Sequence, residues 1–542
     1  MRSNLGTLDE MGIPPLDSGA DGSNVAIAFI DYGFDILHPC LRTPVSGRTR
    51  FKHLWDQGSR GSAGGGEFER AALDALIARA EAEASRLPVD GAYDPHANGY
   101  GRDSAGVGMG AAHGTLMASI AAASPYGHFR GVAPAAALIG VHLALPDDAW
   151  KEEDSSGRPT WSDRHADDIK LWDGWRSYDE AQQIVDALDY AYNCAVGLGV
   201  SGLIINMSIG AYAGAHDGRS TVERKITEIA GRRCGMPCAV VVGAGNAGAD
   251  DGHFSGQARA GQTLEFEWRF ERRQKAQKKL EIWYRSETPL GITATFSGDH
   301  GSPMCRFILE PGLTIPLDSL GSRIGVAEHT PLVRGGLSRV RILVHPPYTP
   351  PARSSGPGGE LVITISCSAD DQRASLHAWI EREDEPSERS SLFPSHPAST
   401  LTTLASAEGA IVVAGYDQAR SPRPALFPNS SLGPAPWSQG RSLPAPLVAA
   451  PSIGLWGARS KTAGLMETSG TSGATALTSG ALALMMQRAA ARGRRFDARH
   501  AAELLAAGRG ERTKPLRPPQ DWSPRFGYGA VNVRPQIEGA WL

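Results

Sequence analysis

The sequence contains few cysteines, no long apolar run and little net charge. Its six cysteines are sparse for 542 residues, which argues against a small disulfide scaffold and favours reduced thiols. No stretch approaches the roughly 20 apolar residues of a membrane span, and the first residues lack the apolar core of a secretion signal. A formal net charge of -4 provides no basic face for nucleic acid. We therefore expect a soluble, cytoplasmic protein with neither nucleic-acid nor membrane partners.

Short and almost unbroken apolar runs predict strands that are buried on both faces, as in a parallel sheet. They lie at residues 25–30, 138–143, 203–207 and 238–242, with helical patterns at 113–123, 179–196 and 220–232 between them. This alternation is typical of a doubly wound α/β domain. Functional groups in such a sheet gather beyond the carboxyl ends of the strands, where Asp31, Ser208 and Asn246 fall.

The pattern changes between about residues 262 and 380, where apolar and polar residues alternate between Gly, Pro and Ser turns. Alternation without helical periodicity predicts an inserted all-β sandwich. The α/β pattern returns at 409–417 and continues into a long helix at 472–491 and a last helix at 498–507. We therefore divide the chain into an N-terminal extension (1–20), an α/β domain in two parts (21–257 and 390–542) and the inserted β-sandwich (258–389).

Candidate catalytic residues stand at strand ends and helix starts, and each taken alone has a plain structural explanation. Asp31 ends a strand and is compatible with an ordinary turn. His113 and Ser472 each open a helix, where serine in particular is favoured as a cap. Asn246 follows a buried strand and is compatible with a turn asparagine.

Together the same residues indicate nucleophilic catalysis. Aspartate, histidine and serine follow one another in one of the three common triad orders. A serine hydroxyl is a weak nucleophile until an imidazole takes its proton, and a buried carboxylate holds that imidazole in the right tautomer. The amide of Asn246 and a backbone N–H near Ser472 would bind the oxyanion. The sequence therefore predicts Asp31, His113 and Ser472 as a catalytic triad.

On these motifs the chain resembles the subtilisin-like serine proteases, or subtilases. The segments are VAIAFIDYGFDILHP, AHGTLMASIAAA, IINMSIG, VVVGAGNAG and TSGTSGATALTSGALALM. The sequence departs from the family pattern at Tyr32, Leu116 and Ala476-Leu477, positions that concern packing more than proton transfer. The resemblance implies a serine endopeptidase that acts on proteins or peptides and needs no cofactor. No metal ligands are assigned.

A narrower resemblance is to the clostridial spore-germination subtilases. RTRFKHLWDQ and EFERAALDALIAR are similar to their segment between aspartate and histidine, and those relatives carry a jelly-roll where this chain has its β insert. Some of those relatives have lost catalytic residues. A catalytically silent pseudoprotease that serves as a signalling or scaffold protein is therefore the alternative function, and a regulatory protein partner is compatible with both.

Two segments resemble the substrate-binding edges of subtilases, against which a peptide pairs as an added strand. They are Ser208-Ile209-Gly210 and Gly243-Ala244-Gly245. Their small residues predict an open primary pocket, and Ala247 favours an apolar residue before the scissile bond.

The segment from Met11 to Leu16 has two interpretations. Its prolines lack the N–H that strand pairing needs, so it could block the cleft like the inhibitory N-terminal peptide of some intracellular subtilisins. The alternative is an irregular surface lead-in.

Overall fold

The structure is a computed structural model of the chain, and its strands and helices alternate from the third helix to the sixth strand. It describes residues 3–57, 66–84, 113–143, 180–231, 235–270, 277–297, 303–319, 322–344, 360–366, 373–383, 389–418, 425–437, 443–460, 462–507 and 522–539. The strands are β1 (Ala26–Asp31), β2 (Phe51–Asp56), β3 (Gly66–Glu69), β4 (Ala137–His142), β5 (Leu203–Met207) and β6 (Cys238–Gly243). The helices are α1 (Leu5–Glu10), α2 (Arg70–Ala84), α3 (His113–Ala122), α4 (Gln182–Leu198) and α5 (Thr221–Ala230).

The inserted region is all antiparallel, as its alternating sequence predicts. Its strands are β7 (His253–Arg259), β8 (Thr263–Arg269), β9 (Lys278–Arg285), β10 (Gly291–Ser297), β11 (Pro303–Ile308), β12 (Thr314–Ser319), β13 (Ser322–Arg334), β14 (Leu337–Val344), β15 (Glu360–Ser366), β16 (Arg373–Ile380) and β17 (Ser391–Phe393). They form two sheets in the orders β11-β10-β15-β8-β17 and β12-β13-β14-β9-β16-β7. Phe266 and Trp268 of the first sheet share one buried core with Ile282 and Tyr284 of the second, so the sheets pack face to face. The exact domain boundaries remain a prediction.

After the insert the chain returns to the first sheet. The remaining elements are β18 (Ile411–Asp417), β19 (Ala425–Leu426), β20 (Val448–Pro451), the hairpin β21 (Leu455–Ala458) and β22 (Leu465–Thr468), and the helices α6 (Thr471–Ala491), α7 (Ala498–Ala506) and α8 (Arg534–Glu538). Within the described residues the main sheet has the order β19-β18-β6-β5-β1-β4-β2-β3, and β20 also pairs with β18. The central pairs are parallel, and β3 and β19 pair antiparallel at the two edges.

Helices cover both faces of this sheet, which confirms the predicted doubly wound architecture. Ile27 and Phe29 of β1 face a core that also contains residues of α3, α6 and α7. Ala28 and Ile30 face the opposite core with residues of α4 and α5. Because side chains alternate along a strand, a strand that is buried on both faces has no solvent-facing positions and consists mostly of apolar residues. In the part of the chain that the structure describes, every helix is too short or too polar to cross a bilayer.

Helix α6 lies close to α3 because glycine faces that helix. A Cβ atom on Gly480 would stand 2.6 Å from the carbonyl oxygen of Ala121, at the end of α3, and 2.5 Å from Cβ of Val132. Neither distance is compatible with a side chain, so the two helices pack backbone against backbone at this point. His113 opens one of these helices and Ser472 lies in the first turn of the other.

The N-terminal segment is built into the core, so both interpretations of residues 11–16 are wrong for its first half. Met11 and Ile13 are buried with Leu8 in the core of the main sheet. The carbonyl of Met11 accepts a 3.0 Å hydrogen bond from the N–H of Val533, and the carbonyl of Pro14 accepts one of 2.9 Å from Arg130. This segment therefore joins the two parts of the α/β domain.

Helix α5 has a buried acid, Glu223, in its first turn, and the titration of this acid should affect the stability of the fold. Ser220 and Glu223 form a capping box, in which Oε2 of Glu223 accepts from the N–H of Ser220 at 2.8 Å and Oγ of Ser220 accepts from the N–H of Glu223 at 3.1 Å. The side chain of Glu223 is fully buried, and burial raises its pKa from 4.5 to about 7.

We expect the free energy of unfolding to fall by on the order of 3 kcal/mol as the pH rises from about 4.5 to about 7, because the native state then binds more protons than the unfolded chain. Glu223→Gln keeps the acceptor for Ser220 and removes the titration. Urea unfolding at pH 5 and pH 8 should show that the variant gains stability relative to wild type only at the higher pH. An equal difference at both values would contradict the assignment.

Candidate active site

Asp31 and His113 form a hydrogen-bonded pair at the carboxyl end of the central strand β1. Nδ1 of His113 lies 2.6 Å from Oδ1 of Asp31, and the same oxygen accepts the N–H of Tyr32 at 2.7 Å. The Asp31 side chain is fully buried, whereas that of His113 is 33% exposed. The carboxylate accepts the proton on Nδ1, which leaves Nε2 of the ring as the basic nitrogen.

The start of α3 is fixed to the loop that follows Asp31, and this explains why His113 meets it. The N–H of Gly114 donates to the carbonyl of Tyr32 at 2.7 Å, and the N–H of Thr115 donates to Gly33 at 3.1 Å. A Cβ atom on Gly114 would lie 2.7 Å from the ring of Phe34 and 2.8 Å from the carbonyl oxygen of Gly33. Only glycine therefore allows the helix to begin this close to the strand end.

Ser472 is the second residue of α6 and is tied to the end of β5. Its hydroxyl donates to the carbonyl of Ser208 at 3.3 Å, and the hydroxyl of Ser208 donates to the carbonyl of Ser472 at 3.2 Å. Asn206 supports this contact because its amide donates to Oγ of Ser208 at 3.0 Å. Among the described residues, the Ser472 hydroxyl donates to the carbonyl of Ser208 and not to the ring of His113. Backbone N–H groups in the first turn of α6 have no partner within the helix.

Asn246 faces the same helix start. Its Oδ1 accepts from the backbone N–H of Thr471 at 2.9 Å and from the Thr471 hydroxyl at 3.0 Å. The reversed amide would place its NH₂ group against the Thr471 N–H, so these bonds fix the orientation of the amide. Among the described residues Nδ2 has no hydrogen-bond partner, and it lies 3.4 Å from the position of a Cβ atom on Gly470, at the start of the helix that carries Ser472.

The two predicted substrate-binding segments flank Asn246 and Ser472 but differ in their backbone bonding. In the second segment, Ala244 donates its N–H to Val413 and accepts from the N–H of Thr402, both at 2.9 Å. Gly245 accepts from the N–H of Ser431 at 2.9 Å and donates to the Thr471 hydroxyl at 3.2 Å. The backbone groups of Ala244 and Gly245 are thus hydrogen-bonded within the protein. This segment can line the site, but these groups are not free to pair with a peptide strand.

Thr471, Thr402 and Tyr212 also belong to the site, and the sequence analysis did not identify them. Tyr212 accepts the backbone N–H of Asn246 on its hydroxyl at 2.7 Å. Burial raises the pKa of the Tyr212 phenol, so the hydroxyl keeps its proton. Thr471 stands in the serine motif, but its contact with Asn246 becomes visible only in the structure. Thr402 and Tyr212 act through contacts with segments that are distant in the chain.

Comparison with known proteins agrees with this geometry. The sequence pattern described as "Subtilase family" matches residues 22–267 and 363–529, well over half of the chain. The chain belongs to the subtilase family. A search of curated proteins finds no match.

Among solved structures, this subtilase is similar to the CspB protease of Clostridium perfringens, with 18% sequence identity and a TM-score of 0.69 over 98% of this chain and 96% of that chain. That similarity shows a shared fold along almost the whole length, including the region of the insert. The prenylagaramide maturation protease PagA and the self-cleaved protease domain of PatA also align, at 14% identity each and TM-scores of 0.39 and 0.37. The PagA alignment covers 98% of this chain and 97% of that chain, and the PatA alignment 96% and 97%.

In this subtilase the insert holds the loop that carries Tyr212. Oε1 of Glu381, just after β16, accepts the backbone N–H of Tyr212 at 2.9 Å. His216 of the same loop stacks on Trp379 of β16 with ring centroids 4.2 Å apart, and its Nε2 donates to the carbonyl of Tyr212 at 2.8 Å. Burial lowers the pKa of His216 to about 4, so this ring is neutral near pH 7. The insert is therefore joined to the α/β domain beside the candidate active site.

No group of three or more His, Cys, Asp or Glu side chains is arranged to hold a metal ion in the described part of this subtilase.

Proposed function

We propose that this chain is a serine endopeptidase in which Asp31, His113 and Ser472 are the catalytic residues. The observation that supports the proposal most strongly is the 2.6 Å pair between His113 and the buried Asp31, next to a serine at the start of a helix that packs on the helix of that histidine. A histidine held in this tautomer is the base that a serine nucleophile needs.

In the proposed reaction Ser472 moves its hydroxyl from the carbonyl of Ser208 to Nε2 of His113. Oγ attacks the carbonyl carbon of the scissile bond while Nε2 takes its proton. The imidazolium, stabilised by Asp31, then protonates the leaving amine as the C–N bond breaks. Water hydrolyses the resulting ester by the same route in reverse, with His113 again acting as the base.

Charge on the tetrahedral intermediate would be stabilised from two sides. Nδ2 of Asn246 donates from one side, and an N–H of the first turn of α6 donates from the other. The positive end of the α6 dipole adds to this stabilisation. Thr471 contributes by holding the Asn246 amide in place.

The substrate backbone would lie along Ser208-Ile209-Gly210. When Ser472 turns towards His113, the carbonyl of Ser208 loses its donor, and a backbone N–H of the substrate can take that place. Pairing of this kind recognises the backbone of a peptide and not its sequence. Gly243-Ala244-Gly245 then contributes a wall to the side-chain pocket.

Labelling with a fluorophosphonate tests the proposal, because the reagent reacts with a serine that an adjacent base activates. We expect about one label per chain on native protein, mapped by peptide mass spectrometry to Ser472, and no label on heat-denatured protein. Labelling should accompany cleavage of an unfolded protein substrate. Native protein that takes no label and cleaves nothing would favour the catalytically silent alternative.

A further inference from the structure

Thr402 lies between the two segments that flank the proposed oxyanion site. Its N–H donates to the carbonyl of Ala244 at 2.9 Å and its hydroxyl donates to that of Gly243 at 3.1 Å. Its methyl carbon is 2.6 Å from the position of a Cβ atom on Gly210 and 2.9 Å from that on Gly245. The methyl group therefore contacts the glycine of each segment and fills the space between them.

Tyr212 closes the same space from a second direction. Ring atom Cε1 lies 2.9 Å from the position of a Cβ atom on Gly245, and the hydroxyl holds the N–H of Asn246 at 2.7 Å. The other end of the residue is fixed by the insert, because Glu381 accepts its N–H at 2.9 Å. Moving the ring aside would leave the Asn246 N–H without this acceptor and break a contact with the residue that carries the oxyanion donor.

The geometry points to a primary side-chain pocket that ends at Thr402 and Tyr212 and accepts only glycine, alanine or serine before the scissile bond. This inference rests on the proposed function. A carbonyl held between Ser472 and Asn246 directs the side chain of its own residue into the space between Ser208-Ile209-Gly210 and Gly243-Ala244-Gly245. Thr402 and Tyr212 occupy the inner part of that space, so a leucine, phenylalanine or arginine side chain would collide with them.

This inference differs from the expectation in the sequence, where the small residues of the two segments predict an open pocket and Ala247 favours an apolar residue. Glycine at positions 210 and 245 does widen the gap between the segments. The side chains that fill the gap, however, come from the loop after Gly210 and from the chain's return after the insert. Substrate class follows from this arrangement: peptides cut after a small residue, which includes flexible Gly-, Ala- and Ser-rich linkers.

The test uses the full chain and a set of peptides that differ only in the residue before the scissile bond. We expect kcat/KM for alanine to exceed that for phenylalanine, leucine and arginine by about 10²-fold, since each excess methylene that a pocket rejects changes the rate by roughly tenfold or more. Wild type that cuts after phenylalanine, leucine or arginine as fast as after alanine would overturn the inference.

Three variants separate pocket size from general damage. Thr402→Ser removes only the methyl group and keeps the hydroxyl bond to Gly243, and Tyr212→Ala empties the ring's place. Both should raise the leucine-to-alanine ratio of kcat/KM by about tenfold or more. Tyr212→Phe keeps the ring and loses the hydroxyl, so it should slow every peptide and leave the ratio unchanged. Unchanged ratios in Thr402→Ser and Tyr212→Ala would show that these side chains do not limit the pocket.

Fluorophosphonate labelling keeps this inference distinct from the proposed function, because a small probe carries no side chain for the pocket. Protein that labels at Ser472 but prefers large residues refutes the pocket alone. Protein that neither labels nor cleaves refutes both.

Discussion

Ser472→Ala is expected to lower kcat for peptide hydrolysis by about 10⁶-fold, the size of the loss when the serine of subtilisin is removed. Among the described residues, the hydroxyl that is bonded to the Ser472 backbone is not free to take its place. The Ser208 hydroxyl lies nearby, but it donates to the carbonyl of Ser472 and accepts from Asn206. The variant should retain its fold, because in the described part of the chain the Ser472 hydroxyl makes a single, part-buried hydrogen bond.

Ser201→Ala is a matched control. Ser201 stands just before β5, at the amino end of the strand whose carboxyl end carries Ser208, and its hydroxyl donates to the carbonyl of Asn24. This variant should hydrolyse peptides at the wild-type rate and take the fluorophosphonate label in full. Hydrolysis by Ser472→Ala at more than about a thousandth of the wild-type rate would mean that another nucleophile performs the reaction.

The central strands could be predicted from the sequence because strands that are buried on both faces consist mostly of apolar residues. The runs at 25–30, 138–143, 203–207 and 238–242 differ from β1, β4, β5 and β6 by at most one residue at either end. The edge of the sheet gave no such signal. Strand β3 is four residues long, with its two glutamates exposed, and its antiparallel pairing with β2 becomes visible only in the structure.

The positions of the candidate catalytic residues could be predicted for a related reason. The carboxyl ends of parallel strands lie along one edge of a sheet, so residues far apart in the chain come together there. The sequence therefore indicated Asp31, Ser208 and Asn246 as neighbours. Their own contacts, and those of His113 and Ser472, are what the structure adds.

The proposed narrow pocket could not be predicted from the sequence, since it depends on contacts between loops. Tyr212 and Glu381 are 169 residues apart in the chain, and the hydrogen bond between them crosses from the α/β domain to the insert. Loops have no periodicity from which the direction of a side chain follows. The N-terminal segment is a similar case. Met11 is buried, and its carbonyl accepts a hydrogen bond from Val533, which lies near the opposite end of the sequence.

Asp31→Asn is expected to lower kcat by about 10³-fold while leaving the histidine in its working tautomer. Oδ1 of Asp31 accepts from both His113 and the N–H of Tyr32. An asparagine oxygen in that position satisfies both donors, whereas the reversed amide would place NH₂ against the Tyr32 N–H. The amide nitrogen therefore takes the place of Oδ2, which in the described part of the chain is buried without a hydrogen-bond partner.

What the substitution removes is the negative charge that stabilises the imidazolium. Unit charges about 4 Å apart attract by about 4 kcal/mol at an effective dielectric constant near 20, which corresponds to about 10³ in rate. An enzyme in which asparagine forces the wrong tautomer loses about 10⁴, so the measured value of kcat distinguishes the two outcomes. Asp17→Asn, at an exposed position, should leave kcat unchanged. A loss of less than tenfold in Asp31→Asn would show that the charge of this carboxylate does not act on His113 during the reaction.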